Sequence, residues 1–510
     1  MLVGALDQGT SSTRFILFDE SSGDIVAKVQ KEHTQYHPEP GWVEHDAEEI
    51  WGACEHCISG ALAMVPDGAK IRAIGITNQR ETTLVFDKRT GQAACRAVSW
   101  NCTRTVGIAA AYRSERSKRL TGLPVASYFS ATKLRWLFDK SPELREDENL
   151  VFGTMDTFLL FRLTGVFATD ATNASRTLLC NVRTLEWDDE LLKYWDVPRR
   201  MLARIEPSIG GDFGTVTSGP LAGVPVLCVL GDQSAASVGQ CCFEKGSVKA
   251  TFGTGAFVML NTGPNPEFSG GLLTTPLFWR KGEAPVYALE GAIAVAGTAI
   301  QWLRDNLELG STAEIAAMAE TVPDSAGVVF VPSFNGLFAP HWDSTARGAI
   351  FGLTSYATKA HLALATLEAV AFQLDELPFR VKLLKVDGGM SQNDQMLQFC
   401  ADLLGVPTLR PANLETTAAG AAFGAGLAAG VFEDLDDLQA KTWRPDRTFE
   451  PRLDDETRRR SRAKWAKAVA RAKYWEGPPP HNLLFLKIAS VAACFGFVAG
   501  VLWARRRLFL

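Results

Sequence analysis

The sequence predicts an α/β fold of two similar halves closing over a cleft, followed by one C-terminal transmembrane helix. Three observations carry this expectation. A strand, a Gly/Thr/Ser turn and a second strand occur at residues 3–19 and again at residues 251–260. A third glycine turn, Val386-Asp387-Gly388-Gly389-Met390-Ser391-Gln392-Asn393, follows a strand and opens a helix. Residues 488–504 carry no charged side chain and run into Arg505-Arg506-Arg507.

At 510 residues the chain exceeds what one hydrophobic core holds, so two or three units are expected. Hydrophobic content of 46% and charged content of 21% are those of a globular chain. A net charge of −5 offers nothing to nucleic acid, which is not an expected partner. Ten cysteines are too few for a disulfide scaffold. Cys54-Glu55-His56-Cys57 has no second pair at zinc spacing, so its thiols read as ordinary. The first residues enter a strand directly, so no signal peptide is expected.

In the first hairpin, Val3 and Ala5, then Phe15 and Leu17, alternate as half-buried strands do. Between them Gly9-Thr10-Ser11-Ser12-Thr13 supplies N–H and O–H donors that can wrap an anion. Asp7, at the end of the first strand, can hold a hydrated Mg²⁺. Ile50, Cys54, Ile58 and Leu62 have helical spacing behind the acidic cap Asp46. The apolar run Ile71–Thr77 is a buried strand that delivers Asn78-Gln79-Arg80-Glu81-Thr82 at its carboxyl end. Ligand crevices of open α/β sheets lie there, and Arg80 beside Glu81 suits a clamp on adjacent hydroxyls. Trp100 ends another strand, and a helix opens at Ser130. Val224–Leu230 is a strand ending on Gly231-Asp232-Gln233, which places a second carboxylate at a strand terminus. The small residues from Ala235 to Gln240 read as a short helix crossing into the second half.

There the second hairpin begins, with Gly253-Thr254-Gly255 as its turn. Leu289–Arg304 reads as one helix carrying Gly297, Gln301 and Trp302. His361–Leu377 is a long apolar helix, which implies burial. Thr417–Gly426 is a small-residue helix that permits close backbone packing, and Arg458–Tyr474 is a basic amphipathic helix. Two hairpins able to grip phosphates from opposite sides, with the late Asp-Gly-Gly turn, point to a nucleotide held between the halves. The expected units are 1–240, 241–476 and a spacer with anchor at 477–510.

With these pieces placed, the chain resembles the glycerol-phosphorylating members of the carbohydrate kinase family named for its Phe-Gly-Gly-Tyr motif. The motifs that carry the likeness are Asp7 to Arg14, Gly41 to Asp46, Ile76 to Thr82, Tyr128 to Leu137, Gly231 to Gln233, Phe252 to Gly255, Gly297 to Asp305 and Asp387 to Asn393. The resemblance implies two domains of the ribonuclease H-like, actin-like ATPase type. It implies ATP-dependent phosphorylation of glycerol to sn-glycerol 3-phosphate, with ATP and Mg²⁺ as cofactors; a kinase of a related polyol or ketose is the alternative. Arg80, Glu81, Trp100, Tyr128, Asp232, Gln233 and Phe257 match the family's substrate contacts. Thr10, Ser11, Ser12, Arg14, Thr254, Gly297, Gln301, Gly389 and Asn393 match its nucleotide contacts. Asp232 would be the base and Arg14 a catalytic cation, with Asp7 on the metal. Lys140 and His341 depart from the family pattern, outside the expected chemistry. Gly214–Pro220 lacks the Gly/Arg-rich loop of family members regulated by a sugar bisphosphate, so that regulation is not expected. The expected partners are glycerol, ATP and ADP, with a homodimer left open.

The tail predicts a membrane partner as well. As a helix, residues 488–504 would span about 26 Å against a hydrocarbon core of about 30 Å. Trp503 and the arginine triplet stand where interfacial anchors belong, and Pro478-Pro479-Pro480 would act as a spacer. The expected location is the mitochondrial outer membrane with the catalytic body in the cytosol; peroxisome or endoplasmic reticulum is the runner-up.

Overall fold

A computed structural model describes residues 1–66 and 68–477. The hairpin Leu2–Gln8 and Ser12–Asp19 forms where the sequence places it, with Asp7 opposite Arg14, but the first strand is buried throughout and the second nearly so, where the alternation predicts half-buried strands. Ile25–Glu32 extends it antiparallel on one side. On the other side Ile71–Asn78 and then Val226–Gly231 add parallel strands, giving a five-stranded sheet. The parallel strands are buried on both faces, as their continuous apolar runs require. Ala47–Leu62 covers one face, capped by the Asp46 carboxylate, which accepts from the backbone N–H of Glu48 and Glu49.

The second sheet repeats the plan. The hairpin Val248–Phe252 and Ala256–Gly263 is flanked by antiparallel Val286–Ile293 and Leu273–Phe278 on one side. Parallel Leu384–Asp387 and Thr408–Pro411, then Pro445–Phe449, lie on the other, making seven strands. The expectation of a single helix over Leu289–Arg304 is corrected. Leu289–Ile293 belongs to the strand Val286–Ile293, where its small and apolar residues pair with Ala256–Leu260, and the helix is Gly297–Asn306.

Two helices of small residues join the halves. Asp232–Gly239 leaves the first sheet, and Thr416–Ala428 comes from the second half to lie against it. Both also touch the first sheet, so the crossing is backbone on backbone. A Cβ on Gly420 would stand 1.8 Å from the Ala235 carbonyl oxygen, and one on Gly239 would stand 2.0 Å from that of Thr416. A Cβ on Gly75 would reach the Ala421 carbonyl oxygen at 2.1 Å. Only glycine permits this approach.

The expected C-terminal transmembrane helix is withdrawn. No helix among the described residues is long and apolar enough to cross a membrane. Residues 478–510, on which that expectation fell, lie outside the described residues. The thiols of Cys54 and Cys57 are buried and unbridged, and Cys57 donates to the Thr13 carbonyl at 3.3 Å.

Candidate active site

The carboxyl ends of Ile71–Asn78 and Val226–Gly231 open side by side, since the two strands pair in parallel. Arg80 and Glu81 follow the first strand, and Asp232 follows the second. Glu81 is held at φ +60, a left-handed conformation uncommon for any residue other than glycine. Its carbonyl accepts from the Ser130 and Thr83 hydroxyls, both at 3.0 Å, which fixes the turn.

Arg80 is 3% exposed and sits between two carboxylates, Glu290 and Asp232. Its Nη1 and Nη2 donate to Glu290 at 2.7 and 2.9 Å. Its Nε lies 3.1 Å from Asp232 Oδ1, yet off the angle of a hydrogen bond, so that donor has no partner. Arg176, wholly buried, donates through Nε to Glu81 and through Nη1 and Nη2 to Glu290 at 3.1 and 3.3 Å. Burial pushes the Glu81 carboxyl up from its ordinary value. Burial acts the same way on Glu290, but Arg176 and Arg80 outweigh it and hold this carboxyl at about 2.

An aromatic wall faces these charges. Trp100 lies edge-on to Tyr128 at 5.5 Å and to Phe257 of the second hairpin at 6.2 Å. Trp100 Nε1 donates to the Thr10 hydroxyl at 2.9 Å, so this ring ties the two hairpins together. Gln233 follows Asp232 and is held by Lys249, a fully buried lysine that also donates to Thr251 at 2.8 Å. Burial pulls the Lys249 ammonium down from its ordinary value. Lys133, likewise buried and pulled down to about 7 by burial, donates to the Tyr128 carbonyl.

In the first hairpin turn, the Gly9 N–H donates to the Ser12 carbonyl at 2.9 Å. His33 braces it from behind: its Nε2 lies 3.0 Å from the Thr10 carbonyl, and its backbone N–H donates to the Ser11 carbonyl at 3.1 Å. Burial lowers both His33 and its neighbour His45, the latter to about 4, so both rings are neutral near pH 7. Neutral His33 then donates to Thr10. Asp7 meets Arg14 Nη1 at 3.1 Å, and Arg14 is one-third exposed. Burial raises Asp7 to about 6, against the pull of Arg14, and Glu415 and Asp232 add to the rise. A buried carboxylate that stays raised despite its contact with Arg14 would gain from the further positive charge of a hydrated divalent cation, although among the described residues no group of three or more His, Cys, Asp or Glu gathers around it.

The second hairpin turn meets the other two glycine sites. The Gly297 N–H donates to the Gly253 carbonyl at 2.9 Å and the Thr298 N–H to the Thr254 carbonyl at 3.1 Å. Gly388 has φ +86, and a Cβ there would stand 2.4 Å from the Phe252 carbonyl oxygen. Gly389 next to it faces open space. Gln301 is exposed on the helix Gly297–Asn306. Asn393 spends its Oδ1 on capping Asp394–Leu404, accepting from the Met396 N–H at 2.8 Å, which leaves its amide nitrogen for a ligand.

Sequence reasoning thus placed the two hairpins, the Arg80–Glu81 turn, the aromatic wall and Asp232 in one region. It missed Arg176, Glu290, Lys249 and His33. A signal existed for Glu290, because one charged residue in the apolar run Tyr287–Ile293 implies a buried partner.

Below Gly231 lies a second polar cluster. The Gly231 N–H donates to the Thr172 hydroxyl at 2.8 Å. Thr172 and Asn173 in turn donate through their N–H groups to Asp170. Nearby Asp156 takes the hydroxyls of Thr154 and Thr169, and burial, with Asp170 adding, raises it to about 7. A carboxyl raised from 3.8 to about 7 on folding stabilises the fold below its unfolded value, and that contribution is lost as pH rises towards 7. Wild type should therefore gain melting temperature relative to Asp156→Asn as pH falls from about 7 to about 5. A pH-independent difference between the two would contradict this.

The family description "FGGY family of carbohydrate kinases, N-terminal domain" matches residues 2–239, and the corresponding C-terminal domain matches residues 248–429. The chain belongs to the FGGY family of carbohydrate kinases, phosphotransferases acting on an alcohol group. It is 49% identical over 495 residues to a glycerol kinase of Chloroflexus aggregans, covering 92% of this chain and 98% of that one. It is 48% identical over 496 residues to a glycerol kinase of Nocardia farcinica, covering 93% and 99%. Among solved structures, the Plasmodium falciparum glycerol kinase with ADP superposes with a TM-score of 0.86 at 34% identity, covering 92% of this chain and 98% of that one. A xylulose kinase of Rhodospirillum rubrum, at TM-score 0.80 and 23% identity over 92% of this chain and 98% of that one, shares the fold alone. The two curated relatives are glycerol kinases from bacteria, cells without mitochondria. The expected placement at the mitochondrial outer membrane, or at peroxisome or endoplasmic reticulum, is therefore withdrawn together with the anchor.

Proposed function

We propose that the cleft transfers the terminal phosphoryl group of ATP to glycerol, yielding sn-glycerol 3-phosphate. The observation that carries this reading is the placement of Asp232. It stands at the mouth of two parallel strands, one-third exposed, beside a buried Arg80 Nε that lacks a partner. A small polyol supplies what both groups lack: a hydroxyl that donates to Asp232 and an oxygen that accepts from Arg80. The wall of Trp100, Tyr128 and Phe257 covers the carbon edge of such a substrate. Selectivity for so small a molecule needs this pairing of convergent polar groups with a flat apolar face.

Phosphoryl transfer spreads negative charge over the migrating group, so its catalysis is mostly positioning and charge stabilisation. Arg14 and the N–H groups of the Gly9–Ser12 turn supply positive charge from the first half. The Gly253–Gly255 turn, Gly297, Gln301, Gly389 and Asn393 hold the nucleotide from the second. Asp7 would hold a hydrated Mg²⁺, which when bound offsets charge on the phosphates. Asp232 orients the attacking hydroxyl and accepts its proton. The halves meet near residue 240, and units of 1–240 and 241–476 follow from this division of labour.

Support comes from the family and from relatives named glycerol kinase. The test is a coupled ADP-release assay with glycerol, dihydroxyacetone, glyceraldehyde and xylulose. Glycerol should give the highest kcat/KM. A higher value for xylulose would replace this reading with a ketose kinase.

A further inference from the structure

Arg80 and Glu290 come from different halves of the molecule. Arg80 follows the strand Ile71–Asn78 of the first sheet, and Glu290 sits within Val286–Ile293 of the second. Their side chains are 2% and 0% exposed, and the pair is bidentate. Bidentate geometry fixes the plane of the guanidinium as well as its distance. With Nη1 and Nη2 both committed to Glu290, the remaining Nε edge is the part of Arg80 that faces Asp232. Arg176 holds the same Glu290 carboxylate from another side and returns to Glu81.

This is a costly arrangement. Two arginines and two glutamates are out of water together, and replacing such a set by apolar groups is often neutral or stabilising. Packing alone therefore gives no reason for Glu290. Position does. If Glu290 were absent, the Arg80 guanidinium could turn to Glu81 or Asp232 and present its terminal nitrogens instead of Nε.

We propose that Glu290 is a positioning residue for the acceptor site, reaching from the second half to hold Arg80 so that its Nε edge meets an acceptor hydroxyl beside Asp232. The inference rests on the polyol kinase reading. Glu290 does not touch the acceptor; it acts through Arg80, with Arg176 bracing the carboxylate. The acceptor site is then complete only while the two halves are apposed, because one half carries the donor and the other carries its clamp.

The test compares wild type with Glu290→Gln and Glu290→Asp. Gln keeps the shape but offers one acceptor oxygen and an NH₂ that opposes the guanidinium. Asp keeps the charge and draws it back by one methylene. Misplacement of a catalytic contact by about 1 Å costs about 10²-fold, so kcat/KM for glycerol should fall by about that factor in Glu290→Gln while KM for ATP stays within about twofold. The rise in melting temperature on adding glycerol should be lost and that on adding ADP retained. A merely structural role would weaken both ligands alike. Should Glu290→Gln yield no folded protein, Glu290→Asp must show the same split between glycerol and ATP. Unchanged glycerol kinetics in a folded variant would overturn the inference, and so would failure of both variants to fold. A wild type inactive on glycerol would overturn the underlying reading instead, which the control lane reveals directly.

Discussion

Asp232→Asn lowers turnover by about 10²–10⁴, the usual cost of removing a general base. The fold should survive. Asp232 Oδ1 accepts from the Gln233 N–H at 2.7 Å, and an amide oxygen can keep that bond. Its side chain is one-third exposed, so no buried charge is stranded. What is lost is a carboxylate at the hydroxyl to be phosphorylated. A loose transition state asks for little proton transfer early. Much of the loss would then come from orientation. ADP affinity should not change, because the proposed nucleotide contacts lie on other elements. The measurement is kcat at saturating substrates, with ADP binding as control. Turnover near the wild-type rate would remove Asp232 from the role of base.

The second large effect lies away from the chemistry. Gly420→Val should unfold the junction between the halves. A Cβ there meets the Ala235 carbonyl oxygen at 1.8 Å and the Gly239 backbone nitrogen at 2.8 Å, and neither can swing away as a side chain would. The helices can separate only by pulling Thr416–Ala428 off the first sheet, where Ala421 lies against Gly75. Overpacking costs about 1–3 kcal/mol in cores that can adjust, and this contact should exceed that range. Urea unfolding reads the loss, and activity should fall with it because Glu290 and Phe257 reach the acceptor site only across this junction. Stability within about 1 kcal/mol of wild type would show that the crossing has slack.

The legible parts of the fold were those where one segment carries its own signal. The hairpins announced themselves by alternation around Gly/Thr/Ser turns, and Asp46 announced the helix it caps. The small residues of Thr417–Gly426 foretold close packing, though not that the partner would be Asp232–Gly239 of the other half. Glu290 was hidden for a different reason. Its strand places Ala288, Leu289 and Glu290 in a row, which suit a helix locally, and only pairing with Ala256–Gly263 makes it a strand. Once it was read as a helix, its carboxylate had no reason to meet Arg80. The left-handed Glu81 and the brace of His33 on Thr10 are likewise set by tertiary contacts that no local pattern encodes. The tail misled through composition. An apolar run closed by arginines matches a membrane span by length and flanks, but such a match states only what the residues could do.

In the proposed mechanism two hairpins, one buried Arg80–Glu290 clamp and Asp232 together move a phosphoryl group from ATP to a glycerol hydroxyl. Phosphorus NMR of the purified full-length protein with ATP, Mg²⁺ and glycerol tests it most directly. The account predicts loss of the ATP γ-phosphorus signal with equal growth of one phosphomonoester signal that coincides with added sn-glycerol 3-phosphate. ATP consumed to inorganic phosphate alone, or left unconsumed with glycerol present, would contradict it.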